Sequence, residues 1–255
     1  MRRSVRFLCI AAFLVSAALT MGMNANVHAS VSQVAATKTK TKTPVPDEPT
    51  AEPTDEAIDD DTFPETIDPT GKNPKLIVTR LQADGLVPKG GKQLLLIPES
   101  FGTSSDPGFG YLRMGRGTAI QNMVFQFEMG WSQVSVGGGC GMGFRIVDNK
   151  LDNYWYVVAL DDGTITLTHI ENEEKTVTFT KPTDNYLPKK YNYIDIIALD
   201  DTVALYVNGA REIVKKTTGV VDTGVFSIII SNDELATKKA ATDCRYQNIW
   251  AWSFD

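Results

Sequence analysis

The chain has 255 residues, 31 Asp and Glu against 25 Lys and Arg, and a formal net charge of −6. It carries no basic stripe, which excludes the usual electrostatic footprint of a nucleic-acid-binding protein. Two histidines and three cysteines exclude most His-rich metal centres and weaken any Ser-His-Asp proposal.

The chain opens with Arg2, Arg3 and Arg6, then an apolar run from Phe7 to Leu19 broken only by Ser16. Val27-His28-Ala29 places small residues at the −3 and −1 positions of a cleavage site. This order is a secretory signal pattern, and the run is short for a membrane span. Residues 1–29 are therefore read as a signal peptide, with the mature chain beginning near Ser30 and exported. Cys9 and His28 leave with it, so Cys140, Cys244 and His169 remain.

Residues 30–72 read as a disordered linker. Thr37 to Thr43 spells TKTKTKT, and Pro44 to Thr70 holds ten acidic residues, no basic one and several prolines. Such a stretch has too little apolar surface to offset its ordering entropy. From Asn73 to Asp255 the composition is globular, about 180 residues, enough for one domain with a real core. From Gly71 onward there are 19 basic and 21 acidic residues, so this part is close to neutral.

Strand signals dominate the domain. Met123 to Met129 alternates Met123, Phe125, Phe127 and Met129 against Gln126 and Glu128, the pattern of a half-buried strand. Tyr154 to Leu160 is apolar on both faces and stops at Asp161-Asp162-Gly163. Thr164 to Ile170 then alternates threonines outward with Ile165 and Leu167 inward, which makes a hairpin. Thr176 to Thr180 alternates in the same way. Tyr193 to Leu199, Thr202 to Val207 and Ala210 to Lys215 follow, joined by Asp200-Asp201 and by Asn208-Gly209, a strong hairpin turn. Val225 to Ile230 reads as a buried strand, and Cys244 to Phe254 as a last, aromatic-rich one. No stretch shows a helical period of useful length. The pattern predicts an all-β, antiparallel β-sandwich or jelly roll.

The order of short motifs adds to this. Gly143-Phe144-Arg145, then Asn153-Tyr154-Trp155-Tyr156, Asp162-Gly163, Tyr206-Val207-Asn208-Gly209 and Tyr246-Gln247-Asn248-Ile249 together resemble the concanavalin A-like lectin and glucanase superfamily. Within it they are most similar to laminin-G-like modules and to the 3-keto-disaccharide hydrolase group. The resemblance spans Val124 to Phe254 and implies two curved antiparallel sheets with carbohydrate or protein bound at one face or a rim. It implies no particular activity, because the fold hosts lectins, hydrolases and adhesion modules.

The candidate chemistry narrows accordingly. Glucanases of the superfamily align acids on one strand; this chain has no E-x-D-x-x-E run, and Glu171, Glu173 and Glu174 lie in a polar turn. Glu128 and Asp195 sit mid-strand and are read as a solvated glutamate and a satisfied aspartate. Ca²⁺ is the cofactor the resemblance allows, at Asp148, Asn149, Asp152 and Asn153, or at Asp161-Asp162 and Asp200-Asp201; Asx residues favour turns with or without a metal. The expected ligand site is Arg145, Asp152, Asn153, Tyr154, Trp155 and Tyr156, because sugars stack on aromatic faces. Alternation puts neighbouring aromatics on opposite faces, so one set, there or at Trp250 and Trp252, is core. The function expected is non-catalytic carbohydrate binding by a secreted or surface-associated domain, against an adhesion module or a glycan hydrolase.

Cys140 sits among glycines at 137–139 and 141, and with Cys244 it opens a strand. In an oxidising compartment the two permit one disulfide, expected at one end of a single sheet; the alternative is two buried thiols.

Overall fold

The computed structural model describes residues 62–71, 73–105, 108–114, 120–146, 154–171, 174–216, 224–232 and 241–255. The signal and most of the linker, with Asp152 and Asn153, lie outside these. In chain order come α1 (Pro74–Ala83), β1 (Lys92–Ser104), β2 (Gly108–Met114), β3 (Met123–Gln133), β4 (Gly139–Ile146), β5 (Tyr154–Leu160) and β6 (Thr164–Glu171). They are followed by β7 (Glu174–Pro182), β8 (Asn192–Leu199), β9 (Thr202–Val207), β10 (Ala210–Lys216), β11 (Val225–Asn232) and β12 (Thr242–Ser253).

The strands form two six-stranded sheets, ordered β1-β12-β3-β8-β9-β10 and β2-β11-β4-β5-β6-β7, with antiparallel pairing throughout. This is the jelly-roll sandwich that the alternating pattern and the motif order imply. The predicted hairpins are present: β5 meets β6 across Asp161-Asp162-Gly163, and β8 meets β9 across Asp200-Asp201. Between β9 and β10, Asn208 and Gly209 take φ of 50° and 85°, the paired positive angles of a tight hairpin turn that suit Asn-Gly.

Alternation sends Phe125, Phe127, Met142, Phe144, Trp155, Leu167, Ile196, Leu205 and Ile228 into a core between the sheets. Cys140 and Cys244 point into the same core and form a disulfide with a Cα–Cα distance of 5.6 Å. The bridge differs in place from the expectation. Cys140 lies on β4 of the second sheet and Cys244 on β12 of the first, so it ties the two sheets face to face rather than two strands of one sheet. Inward alternation of both residues is what allows this.

Three further departures share one cause. Helix α1 stands where no helical period was expected. Asn73 caps it by accepting from Lys75 N at 3.1 Å, and Pro74 occupies the first turn. Its Ile77, Val78 and Leu81 pack with Phe63 on the outer face of the first sheet, over Val124, Ile197, Ala204, Tyr206 and Trp250. Residues 62–71, inside the stretch read as linker, lie along the same face. Ile67 N donates to Gly209 O at 2.8 Å, Arg211 N to Glu65 O at 2.8 Å, and the Arg211 guanidinium holds Phe63 O and Glu65. The outer-face residues Val124 and Gln126 of β3 are consequently buried as well.

Candidate functional site

The six expected site residues do not gather in one place. Trp155 is a core residue, stacked on His169 with ring centroids 4.5 Å apart. Tyr154 and Tyr156 fall on the opposite, outer face of the second sheet, 5.8 Å apart, beside Val158 and Ile229. Thr168, opposite Tyr156 in register, carries a buried hydroxyl without a hydrogen-bond partner. Arg145 is buried at a positive φ of 53° and donates to Gln121 O at 2.6 Å and Asp200 O at 3.2 Å, so it braces backbone. Asp161 and Asp162 each spend a carboxyl oxygen on a backbone N–H, of Gly137 and of Thr164. Among the described residues no three His, Cys, Asp or Glu side chains gather to hold a metal ion.

A more organised set of side chains lies on the outer face of the first sheet, in three rungs across the strands. Register places Phe101, Arg245 and Gly130 in the first rung, and Glu99, Gln247, Glu128 and Tyr193 in the second. Leu96, Trp250, Gln126, Asp195 and Tyr206 form the third.

The second rung is built around a buried glutamate. Between Gln247 and Trp250 the β12 register shifts, with Asn248 at a φ of 50°. The extra residue turns a second amide toward β3. Gln247 Nε2 donates to one Glu128 oxygen at 2.6 Å and Asn248 Nδ2 to the other. Tyr193 hydrogen-bonds the same carboxylate, and burial first, then the Glu128 charge, raises its pKa. Glu128 is thus an acceptor locked by its neighbours, not the solvated glutamate expected.

The third rung is closed over by the N-terminal segment. Trp250 Nε1 donates to Gln126 Oε1 at 2.7 Å, and Gln126 Nε2 donates to Asp195 Oδ1 at 2.5 Å and to Pro69 O at 3.1 Å. Asp195 Oδ2 is buried without a partner, so Asp195 is only half satisfied. Burial pushes its pKa up to about 7, against the lowering effect of Gln126.

The first two rungs stay open. A groove of about 560 Å³ runs past Glu99, Phe101, Tyr191, Arg245 and Gln247. Phe101 is 69% and Tyr191 46% exposed, an uncommon state for large rings. Neither residue stands out in the sequence. Phe101 is a lone ring after Glu99-Ser100, beyond the apolar run that ends at Ile97-Pro98, and Tyr191 precedes a strand, so only the fold shows that they flank one groove.

These features define a disulfide-bonded antiparallel β-sandwich with an aromatic-flanked polar groove on one sheet. No protein-family model matches the chain and no curated protein matches it by sequence. The fold is similar to that of the carbohydrate-binding module CBM66 from Bacillus subtilis, at 12% identity and a TM-score of 0.47, over 64% of this chain and 98% of that one. It is similar also to the β-glucanase of Bacillus licheniformis, at 8% identity and 0.48 over 66% and 100% of the two chains. Galectin LEC-6 of Caenorhabditis elegans is similar at 10% identity and 0.38, over 57% and 94%.

Proposed function

We propose that this domain binds carbohydrate, without catalysis, in the groove over the Phe101 and Glu128 rungs. The observation that carries this is the pairing of two exposed aromatic rings with a fixed polar row in one open groove. Sugar rings stack on flat aromatic faces while neighbouring polar groups bond their hydroxyls. Phe101 and Tyr191 supply the faces; Arg245, Gln247 and Glu99 supply donors and acceptors. Glu128 orients the Gln247 amide. The protein works outside the cytoplasm, a location that the disulfide supports.

The test is glycan-array binding of the mature chain against a Phe101→Ala/Tyr191→Ala variant, with and without Ca²⁺. Losing two stacking contacts lowers affinity on the order of ten- to a hundred-fold with the fold intact. A folded double variant that binds as tightly as the parent moves the site to the Tyr154–Tyr156 pair, which a Tyr154→Ala variant then probes. Binding to no glycan at all refutes the reading.

A second reading, glycan hydrolysis in the same groove, is favoured by one observation. Glu128 and Asp195 occupy neighbouring rungs of β3 and β8, and Asp195 keeps its proton to about pH 7, as a general acid would. Asp195 lies under the N-terminal segment, which supports binding over hydrolysis. Reducing-end release from any bound glycan, lost in Asp195→Asn, reverses that preference.

A further inference from the structure

A smaller pocket of about 300 Å³ opens off the groove beside Gly130. Lys189, Lys190 and Arg245 line it with Ser132 and Tyr191, and no carboxylate is among the described residues lining it. Three cations around one opening are a local excess, since the globular part holds 19 basic against 21 acidic residues.

The loop that carries both lysines is held in place. Asn192, fully buried, accepts from Leu187 N at 2.7 Å and donates to the carbonyls of Leu187 and Lys190, each at 3.0 Å. Asn208 donates to the same Asn192 oxygen at 2.8 Å. Lys189 sits at a φ of 64°, a left-handed conformation rare for a lysine and sustained only where the surroundings enforce it. Gly130 leaves the floor bare; a Cβ there would meet Lys190 O at 3.1 Å.

The neighbouring acid does not neutralise the pocket. Asp243 is held below the usual carboxylate range by the Ser132 hydroxyl first and by Arg245. It engages Arg245 at 3.0 Å, which leaves the two lysines uncompensated. Neither has an ion-pair partner among the described residues.

We propose that this pocket receives an anionic substituent of the bound glycan, a carboxylate or a sulfate, so that the ligand class is an acidic polysaccharide. This rests on the carbohydrate reading of the adjoining groove. Phe101 and Tyr191 hold the sugar ring, and the pinned Lys189-Lys190 loop selects its charge. Lysine suits this role as a compact point charge. Pre-ordering of the loop removes an entropy cost from binding.

The experiment uses the mature chain and three hexasaccharides: a uronic-acid oligomer, its carboxyl-reduced neutral form, and a sulfated derivative of that neutral form. Two exposed cations facing one anion give on the order of a ten-fold preference for a charged form at low salt. The preference shrinks as ionic strength rises. Whichever charged form gains it identifies carboxylate or sulfate as the group received. In a Lys189→Asn/Lys190→Gln variant, where Asn tolerates the left-handed position, the ratio of charged to neutral affinity falls to about one. A Lys189→Asn/Lys190→Glu variant, which leaves one uncompensated carboxylate in place of two cations, inverts it. Neutral binding with no charged preference, or a preference that survives in the lysine variants, overturns the anionic assignment and leaves the carbohydrate reading standing. Binding of none of the three overturns the anionic assignment, and binding to no glycan on the array overturns the carbohydrate reading with it.

Discussion

Replacing Asp195 by Asn tests the energetics of the covered rung directly. In the unfolded chain Asp195 loses its proton near the ordinary value of 3.8, whereas in the fold it keeps it to about pH 7. The folded-state pKa is raised, so Asp195 favours folding most below pH 4, and that advantage is lost as pH rises through 7. The gap between the two values, at about 1.36 kcal/mol per pH unit, amounts to about 4 kcal/mol over the whole range. Between about pH 4.5 and about pH 7.5 the same linkage removes about 3 kcal/mol. In the Asp195→Asn variant Gln126 still donates to the side-chain amide oxygen, but the amide does not ionise. The groups facing Asp195 are Gln126, Tyr193, Tyr206, the Pro69 carbonyl and, one rung away, Glu128. Urea denaturation of parent and variant across this interval reads the difference. The variant gains about 3 kcal/mol on the parent as pH rises, and this comparison cancels the opposite trends of Asp68 and Asp243, whose pKa values are lowered. Parallel profiles, with a difference constant to about 0.5 kcal/mol, refute the reasoning.

Breaking the bridge with Cys140→Ser and Cys244→Ser opens a loop of 104 residues and costs up to about 4–5 kcal/mol on the loop-entropy model. Calorimetry measures it, and thiol counting on denatured, unreduced parent chain should find no free thiol at either position. Trp155→Ala, in the inter-sheet core, should cost about 3–5 kcal/mol, while half-buried Tyr154→Ala should stay folded; equal loss by both variants contradicts the placement of the two faces. A chain starting at Gly71 loses Phe63 and the hydrogen bonds of residues 63–69 from the outer face. Its stability should fall by about 3 kcal/mol or more, and an unchanged melting temperature would show that this segment contributes nothing.

Composition and alternation by themselves determined the all-β class, most of the strands from Met123 onward and the Asn208-Gly209 turn. Period-two burial and turn chemistry are local, so they are written residue by residue. The cysteine pair was legible too, because few partners were available. What lies across the strands was not legible. Whether Glu128 is solvated or locked depends on Gln247 and Asn248, 119 and 120 residues away, and on a register shift that no local pattern announces. Whether Trp250 is exposed depends on α1 and Phe63 covering its face, since alternation assigns a side chain to a face but not what packs on it. The helix itself is masked in the sequence because β-branched Ile77, Val78 and Thr79 read as strand-like, although Asn73-Pro74 is a start signal. The groove is the extreme case. Phe101, Glu128, Tyr191 and Arg245 come from four separate stretches of chain, and only the pairing of β1, β12, β3 and β8 sets them side by side.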